Sequence, residues 1–301
     1  MRSKVKKRTK MKPYQLLGKL VRNAKERIRY FPQQKIVKIN KSYIMLLNPR
    51  EEGIHRDLFI YKKREPLATD FLATSGILKK GFNVLEAGAN IGYYALLEWE
   101  IIKPSGVIYA LEPATQNYEK LIDNITLNKP NNILPFKLAL GDKEGKATLY
   151  LSKWSNWCTL NKNNVQYQIG SETTPVTTLD KFLENKQKIN FVRMDVEGYE
   201  YEILKGSTET LKENIVIQME VHPHAIKNLE DFTDILEQND FYIKYAVFGY
   251  KVPYNYLIYS SLKKSGYPYP MQYNNVTITK LRGLMENVPA CPNVFLAKKG
   301  S

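Results

Sequence analysis

The sequence predicts an α/β fold in which helices cover both faces of a mostly parallel sheet. From residue 66 onward, apolar runs such as FNVLEAG and GVIYALEP alternate with helical segments such as YYALLEWEII and TQNYEKLIDNITLN. Strands that alternate with helices of this length form βαβ units and parallel sheets. In addition, a glycine loop at residues 88–92 joins a strand directly to a helix. Ligands of such sheets bind beyond the carboxyl ends of the strands, so we expect the chemistry there.

The chain divides into three predicted parts. Residues 1–33 are predicted to form a basic tail (1–12) and an amphipathic helix (13–31), and residues 34–63 a short β-rich preface. Within the preface, KIVKI, YIMLL and DLFIY are predicted as strands because they are rich in β-branched and aromatic residues. Residues 64–301 are predicted to form the main domain. In that domain GDKEG is expected to join a hairpin, and the tyrosine-rich residues 250–288 a long connection between the last two strands.

The positive charge lies almost entirely at the amino-terminal end. The 301 residues include 45 Lys+Arg and 30 Asp+Glu, a net charge of +15. Residues 1–41 hold 15 of the basic residues and one acid, so the remaining body is nearly neutral. The net charge is therefore no argument that the body binds nucleic acid.

The predicted helix over residues 13–31 carries one apolar stripe, with most of its basic residues off that stripe. Three interpretations remain open: a helix docked on the body with a solvated basic face, a helix lying on an anionic membrane, and an arm that follows phosphates.

Several classes of protein are argued against. No apolar run reaches the length of about 18 residues that a spanning helix needs, and the first residues, MRSKVKKRTKMK, lack the apolar region of a secretory signal. Cys158 and Cys291 are far apart and have no CxxC spacing, which argues against a zinc site or a disulfide framework. These features predict a cytoplasmic protein.

The glycine loop predicts a nucleoside cofactor other than NAD. Its spacing is GxNxG (Gly88, Asn90, Gly92), and the third glycine of a dinucleotide site is absent. Glu112 ends the next strand, twenty residues after Gly92, where a carboxylate accepts ribose hydroxyls. Glu86 would repel a pyrophosphate, but it suits a ligand with a sulfonium and an amino group. We therefore predict S-adenosylmethionine (SAM) as the cofactor.

Taken together, five segments resemble the successive motifs of FkbM-type SAM-dependent methyltransferases: VLEAGANIGYYALL, ALGDKEGKATLYL, TTLDKF, FVRMDVEGYEYEILKGS and MEVHP. The resemblance covers about residues 64–300. It implies a Rossmann-like class I fold with a seven-stranded, mostly parallel sheet whose last strand is antiparallel. It also implies methyl transfer to a hydroxyl of a sugar, glycolipid or related small molecule. The implied cofactor contacts are Glu86, Gly88, Asn90, Gly92, Tyr93, Glu112, Ala139 and Asp195.

This sequence departs from the family pattern at two places. Glu86 and Ala87 stand where the family usually has Asp and Val, which preserves the charge. Residues 154–157 (Trp-Ser-Asn-Trp) are bulkier than the small polar residues expected there, which bears on the choice of substrate.

Methyl transfer to oxygen requires a group that takes the proton of the acceptor. The candidate catalytic residues are Asp195 and Glu197, after the fourth strand, and Glu220 and His222, after the fifth, with Asp195, Glu197 and His222 favoured. The hypothesis is that Asp195 or His222 is the base, while Glu197 has the alternative role of interacting with the next helix N-terminus. Such a cluster can also hold Mg²⁺, but no residue spacing fixes a ligand set and no metal is assigned.

The leading hypothesis is a cytoplasmic, SAM-dependent O-methyltransferase acting on a sugar or other small-molecule acceptor. Residues 1–31 would contact an anionic membrane if the acceptor is linked to a lipid. One alternative is an RNA methyltransferase that uses the basic arm, although no aromatic-interleaved RNA module is evident. The other is a non-catalytic scaffold, against which the intact glycine loop and both carboxylates argue.

Overall fold

The computed structural model describes residues 31–39, 42–248, 271–288 and 290–299. The predicted basic tail and the predicted amphipathic helix lie outside these residues, except for Phe31. The strands are β1 (Lys35–Ile39), β2 (Tyr43–Leu47), β3 (Val84–Ala87), β4 (Ile108–Leu111), β5 (Ile133–Phe136), β6 (Ala139–Leu140), β7 (Gly145–Ser152), β8 (Gln168–Thr177), β9 (Phe191–Met194), β10 (Val216–Glu220), β11 (Phe241–Phe248), β12 (Met271–Val276) and β13 (Asn293–Lys298). The helices are α1 (Ile54–Tyr61), α2 (Pro66–Thr74), α3 (Tyr93–Ile102), α4 (Thr115–Asn128), α5 (Leu179–Leu183), α6 (Glu200–Lys205), α7 (Leu229–Gln238) and α8 (Ile278–Asn287).

The central sheet has the strand order β12-β11-β13-β10-β9-β3-β4-β5. The five strands from β10 to β5 in that order run parallel, and β13 is antiparallel to both of its neighbours. This is the predicted Rossmann-like class I methyltransferase arrangement, with its last strand antiparallel. Strands β3 and β4 are buried along their whole length, as expected for parallel strands that are covered on both faces.

The sheet has eight strands rather than the predicted seven. Strand β12 pairs antiparallel with β11 at one edge of the sheet. The predicted long connection over residues 250–288 is therefore wrong for its second part, which forms β12 and α8. The sequence gives little signal for β12, because MQYNNV is a partly exposed edge strand whose length carries no sustained alternation of apolar and polar residues. The first part of that connection, residues 250–270, lies outside the described residues.

The preface contains one helix that was predicted as a strand. DLFIY belongs to α1, which buries Ile54 and Leu58 one turn apart, so a helical period governs this segment and not its β-propensity. The other two segments form the β1–β2 hairpin. The side chains of Asn124 and Asn128 on α4 accept hydrogen bonds from the backbone of β2, at 2.6 and 2.9 Å. The preface is thus packed on the main domain.

The turn-rich insert forms a separate three-stranded sheet of order β6-β8-β7. GDKEG was expected to join a hairpin, but the strands on either side of it, β6 and β7, both pair with β8 and not with each other. The hairpin is instead formed by β7 and β8, and residues 153–167 connect them. This connection brings Trp154 and Trp157 to the carboxyl ends of the parallel strands. No helix in the described parts of the chain is long and apolar enough to cross a membrane.

Candidate active site

The loop between β3 and α3 is bent by three residues in the left-handed region: Gly88 (φ +83°), Asn90 (φ +50°) and Gly92 (φ +88°). A Cβ atom at position 88 would lie nearer than 3.0 Å to the carbonyl oxygen of Asp195. The loops that follow β3 and β9 are therefore in direct contact, and only glycine permits that approach.

Glu112 ends β4 and points toward this loop. Its carboxylate accepts hydrogen bonds from the backbone N–H groups of Asn90 (2.8 Å) and Ala114 (2.9 Å). The side chain is buried, and burial raises its pKa to about 7 against these two hydrogen bonds. These hydrogen bonds fix the orientation of the carboxylate, which also lines a neighbouring cleft.

A cleft lies beyond the carboxyl ends of β3, β4 and β9, where ligands of such sheets bind. Its apolar walls include Leu111, Leu138, Leu140 and Val196, and its polar residues include Glu86, Glu112 and Asp195. The buried Oδ1 atom of Asp195 has no hydrogen-bond partner among the described residues. A ligand with ribose hydroxyls and positive charge would satisfy these carboxylates, so the residues present fit SAM.

A buried arginine, which the sequence analysis missed, lies under this cleft. The Arg193 guanidinium is 2.8 Å from Glu86 Oε1 and 3.1 Å from Asp195 Oδ2. It also stacks on the Tyr94 ring, 3.5 Å from the ring centroid. Arg193 therefore neutralises part of the acidic charge and orients Asp195. An arginine inside the apolar run FVRM is the signal that the sequence offered, because a buried arginine requires carboxylate partners.

A second carboxyl group accompanies Glu86. Glu98 on α3 is fully buried, and burial together with the neighbouring Glu86 raises its pKa well above the ordinary value. The pKa of Glu86 is also raised, mainly by burial, although Arg193 opposes the shift. Burial and the mutual repulsion of the two carboxyl groups thus disfavour the ionisation of both at once beneath the cofactor cleft.

His222 lies between two carboxylates. Its Nδ1 atom is 2.8 Å from Glu200 Oε1, and its Nε2 atom is 3.1 Å from Glu197 Oε2. Burial on its own would lower the pKa of His222, but Glu200 and Glu197 together raise it well above the ordinary value. The imidazole is therefore held in its charged form with both nitrogens occupied.

The loop that carries Glu197 is strained and firmly held. Glu197 has φ +52°, in the left-handed region, and Gly198 follows with φ +93°. The backbone carbonyl of Glu197 accepts hydrogen bonds from Thr159 Oγ1 (2.8 Å) and Asn164 Nδ2 (2.7 Å), both in the insert. Non-glycine residues in this region persist only when their surroundings fix them, and they concentrate at functional sites.

A second cleft opens beside the first. The two clefts share Arg64, Asn156 and Glu197. Among the other residues that line the second cleft are Glu52, Trp154, Trp157, Glu220, His222 and His224. The first cleft suits a cofactor, and the second is where an acceptor could approach it.

One wall of the second cleft is aromatic. The ring centroid of Trp154 lies 4.2 Å from that of Trp157 and 4.6 Å from that of Tyr167. The Trp154 Nε1–H donates a 3.0 Å hydrogen bond to Glu52 Oε2, which fixes the indole. Both tryptophans belong to the bulky segment 154–157, where the sequence departs from the pattern that it resembles.

The structure gathers nearly all of the predicted residues at these two clefts. The first cleft is lined by Glu86, Gly88, Asn90, Tyr93, Glu112, Ala139 and Asp195. Gly92 is the exception, because it begins α3 and packs against Leu121 without lining either cleft. Glu197 lines both clefts and His222 only the second. The roles of all these residues stay predictions.

Two groups of possible metal-ligand atoms meet near Glu220, each within 4.8 Å: Glu220, His222 and Cys291, and Glu65, Asp195 and Glu220. Acidic groups this close occur without metals, so neither group is assigned as a site.

Two curated proteins are similar to part of the chain. The hexuronic acid methyltransferase AglP of Haloferax volcanii is 29% identical over 156 residues, which cover 51% of this chain and 60% of that protein. Methyltransferase 1 of Beauveria bassiana is 25% identical over 193 residues, covering 56% of this chain and 73% of that protein. The match thus spans less than two thirds of the length of the first relative.

Solved structures resemble the chain only distantly. TYW2 of M. jannaschii in complex with AdoMet has 15% identity and a TM-score of 0.44, covering 89% of this chain and 88% of that chain. Fibrillarin of Aeropyrum pernix, with natively bound SAM, has 14% identity and a TM-score of 0.39, and the match covers 75% of this chain and 91% of that chain. The fold assignment therefore rests on the strand order of the chain itself.

The family model for the methyltransferase FkbM domain matches residues 86–243, more than half of the chain. The matched range contains the glycine loop, Glu112, the loop of Asp195 and Glu197, and His222. It confirms, for this domain, the predicted methyltransferase class and the predicted cofactor, SAM. The chain belongs to the FkbM methyltransferase family.

Proposed function

We propose that this protein is a SAM-dependent O-methyltransferase that methylates a hydroxyl group of a sugar or glycoconjugate. The observation that carries the proposal is the position of Glu197, which lines both the cofactor cleft and the second cleft. A carboxylate at that junction can take the proton of an acceptor hydroxyl that enters from the second cleft.

The aromatic wall supports a sugar as the acceptor. The C–H faces of a sugar ring pack on indole rings, and carboxylates beside the rings accept hydrogen bonds from its hydroxyls. The second cleft offers both, with Trp154 and Trp157 on one wall and Glu52 beside them. The name of the relative from Haloferax volcanii, a hexuronic acid methyltransferase, also supports a sugar.

The proposed binding roles follow from the contacts. Glu112 would hold the ribose hydroxyls of SAM, and the contact between Gly88 and the Asp195 backbone would keep the cleft closed beneath it. Arg193 orients Asp195, whose free Oδ1 atom would accept a hydrogen bond from the cofactor. When bound, SAM supplies a methyl group on a positively charged sulfur.

Glu197 is the proposed proton acceptor. Its carboxylate takes the proton of the acceptor hydroxyl as the oxygen forms its bond to the methyl carbon, and the carbon–sulfur bond breaks to leave a neutral thioether. Burial raises the pKa of Glu197 against the effect of His222, which makes it a stronger base than an exposed glutamate. His222 would act as a positioning residue, because its charged ring holds Glu197 and has no vacant nitrogen.

This assignment differs from the hypothesis that Asp195 or His222 is the base, and the variants distinguish the two. With a verified sugar acceptor, we expect Glu197→Gln to lower kcat by about 10²–10⁴, the usual contribution of a general base. Glu52→Gln is the matched control, because it removes a carboxylate that lines only the second cleft and should raise KM for the acceptor instead.

Unchanged kcat in Glu197→Gln would remove Glu197 from the mechanism. Full turnover by both Asp195→Asn and His222→Ala would exclude the other two candidates as the base. SAM affinity and thermal stability, measured for each variant, show whether it is still folded.

The acceptor can be sought by mass spectrometry. A host glycan or lipid extract incubated with the protein and SAM should yield a species heavier by one methylene group. Calorimetry that detects no binding of SAM or S-adenosylhomocysteine would favour the scaffold alternative instead. We also propose a cytoplasmic location, because Cys158 and Cys291 are not joined in a disulfide.

A further inference from the structure

An exposed surface outside the two clefts combines apolar and basic side chains. Ile36, Ile60 and Tyr61 are 54%, 47% and 43% exposed, which is unusual for side chains of this size. The Nζ atoms of Lys35 and Lys62 lie 6.0 and 4.9 Å from the centroid of the Phe59 ring. The beginning of β1 and the end of α1 therefore meet at Phe59. In sequence, Ile36 follows Lys35, Ile60 follows Phe59, and Tyr61 precedes Lys62. We call Lys35, Ile36, Ile60, Tyr61 and Lys62 the docking face.

The docking face is positively charged. The nearest acids along the chain are already paired, Asp57 with Arg64 at 3.7 Å and Asp70 with Lys63. Burial and the neighbouring charge of Lys35 lower the pKa of Lys62. The two lysines thus repel each other, and an external anion would relieve that repulsion.

The basic amino-terminal segment joins the body beside this face. Phe31, the first described residue, packs against Phe59 with a centroid distance of 5.1 Å, and its carbonyl accepts a 2.8 Å hydrogen bond from Arg50 Nε. Residues 1–30 hold 12 Lys+Arg and one acid. The segment that carries this charge therefore joins the described part of the chain at Phe31, next to Phe59.

We propose that the docking face binds an anionic lipid bilayer. The lysines would contact headgroups, while Ile36, Ile60 and Tyr61 would enter the boundary between headgroups and acyl chains. An RNA backbone would also attract the lysines, but it offers no apolar phase in which isoleucine side chains leave water. The exposed apolar residues are what favours a bilayer.

The same helix connects the docking face to the acceptor cleft. Gly53, Arg56 and Asp57, at the start of α1, line the second cleft, whereas Ile60 and Tyr61 end the helix on the docking face. A helix of eight residues is about 12 Å long. A bilayer on this face would therefore hold a lipid-linked sugar within reach of the cleft; this step alone rests on the proposed function.

The test measures binding of the full-length protein to vesicles without SAM or acceptor, so its result does not depend on the proposed reaction. Vesicles of equal parts phosphatidylcholine and phosphatidylglycerol are compared with vesicles of phosphatidylcholine alone, in a sedimentation assay. The test variant is Ile60→Ser with Lys62→Gln. The matched control is Leu134→Ser with Lys137→Gln on β5 and after it, where Leu134 is 41% exposed and Lys137 is exposed.

We expect the wild type to bind the anionic vesicles preferentially. One lysine near an anionic surface contributes about a fivefold change in partitioning, and loss of the isoleucine side chain adds to it. The test variant should therefore bind at least about tenfold more weakly, while the control variant binds as the wild type does. Equal binding by the two variants would overturn the proposal.

A second comparison separates a bilayer from other polyanions. Ile60→Ser alone should weaken vesicle binding but leave binding to a single-stranded RNA homopolymer unchanged. If Ile60→Ser has no effect on vesicles, and Lys62→Gln weakens vesicle and RNA binding equally, the face is a general polyanion surface and the lipid proposal is wrong.

Discussion

Substitution of Gly88 by alanine tests the contact between the two loops that form the floor of the cofactor cleft. Gly88 combines two constraints, a φ of +83° and a position where a Cβ would lie nearer than 3.0 Å to the Asp195 carbonyl oxygen. The left-handed conformation costs alanine about 1–2 kcal/mol. The overlap with a backbone atom adds a further cost, because the loop after β9 must move to accommodate the methyl group. We expect a total loss of roughly 3 kcal/mol or more in the free energy of unfolding.

Two other glycines separate these contributions. Gly76 has φ +72° but no atom within 4 Å of an added Cβ, so Gly76→Ala reports the cost of the conformation alone. Gly170 lies in the sheet with an ordinary φ and equally open space, so Gly170→Ala should change stability little. The expected order of destabilisation is therefore Gly88→Ala, then Gly76→Ala, then Gly170→Ala.

The assay is thermal or denaturant unfolding, together with calorimetric titration of SAM. At about 2–4 °C per kcal/mol for a domain of this size, Gly88→Ala should lower Tm by roughly 6–12 °C. Its SAM affinity should also fall, because the displaced loop carries Asp195. If Gly88→Ala is as stable as Gly76→Ala and binds SAM as the wild type does, the loops do not meet as described.

Three further predictions concern charge and acceptor binding. Because the pKa of Glu112 is about 7, its side chain is mostly protonated at pH 6 and ionised at pH 8. SAM affinity, measured by calorimetry, should therefore rise about tenfold over this range in the wild type and stay constant in Glu112→Gln. The same pH dependence of SAM affinity in both proteins would refute the ribose role. The raised pKa also means that Glu112 contributes less to folding stability as the pH rises from 4.5, the ordinary pKa of a glutamate, to about 7. Arg193→Gln leaves Glu86 and Asp195 without their shared cation and should lower the free energy of unfolding, measured with denaturant, by about 3–5 kcal/mol. The control is Arg282→Gln, whose partners Glu230 and Asp234 are exposed and which should lower it by less than about 1 kcal/mol. Similar losses in the two variants would show that Arg193 is not the buried centre of the site. Trp154→Ala should raise KM for a sugar acceptor about tenfold or more and leave SAM affinity unchanged. The control is Trp99→Ala, because Trp99 lies on α3 and lines neither cleft. An unchanged KM in Trp154→Ala would count against stacking of the sugar on the aromatic wall.

The elements around the cofactor cleft were predictable because local signals define them. The predicted helix segments YYALLEWEII and TQNYEKLIDNITLN coincide with α3 and α4. An apolar run followed by glycines marks the end of β3, and Glu112 lies at the end of the following strand, so both could be placed by counting along the chain. Where the local signal was ambiguous the prediction failed, as in DLFIY, whose β-propensity is overridden by burial of one helical face in α1.

The contacts that join distant segments were not predictable. Arg193 and Glu86 are 107 positions apart, and their ion pair exists because β9 and β3 are neighbours in the sheet. In the same way His222 meets Glu197 only because the loops after β10 and β9 lie side by side. The sequence showed these residues as separate candidates and left open which of them was the base.

The sequence by itself determined the strands and helices around the cofactor cleft, the glycine loop and the family, because these depend on residues close together in the chain. It also placed the positive charge in the first 41 residues. Only the tertiary structure decided that Glu197 lies at the junction of two clefts, that His222 is held between two carboxylates, and that Lys35 of β1 and Lys62 after α1 both lie near the Phe59 ring. The physical reason is that the pKa of a group and the exposure of a side chain are set by neighbours that folding brings together, and no local pattern records them.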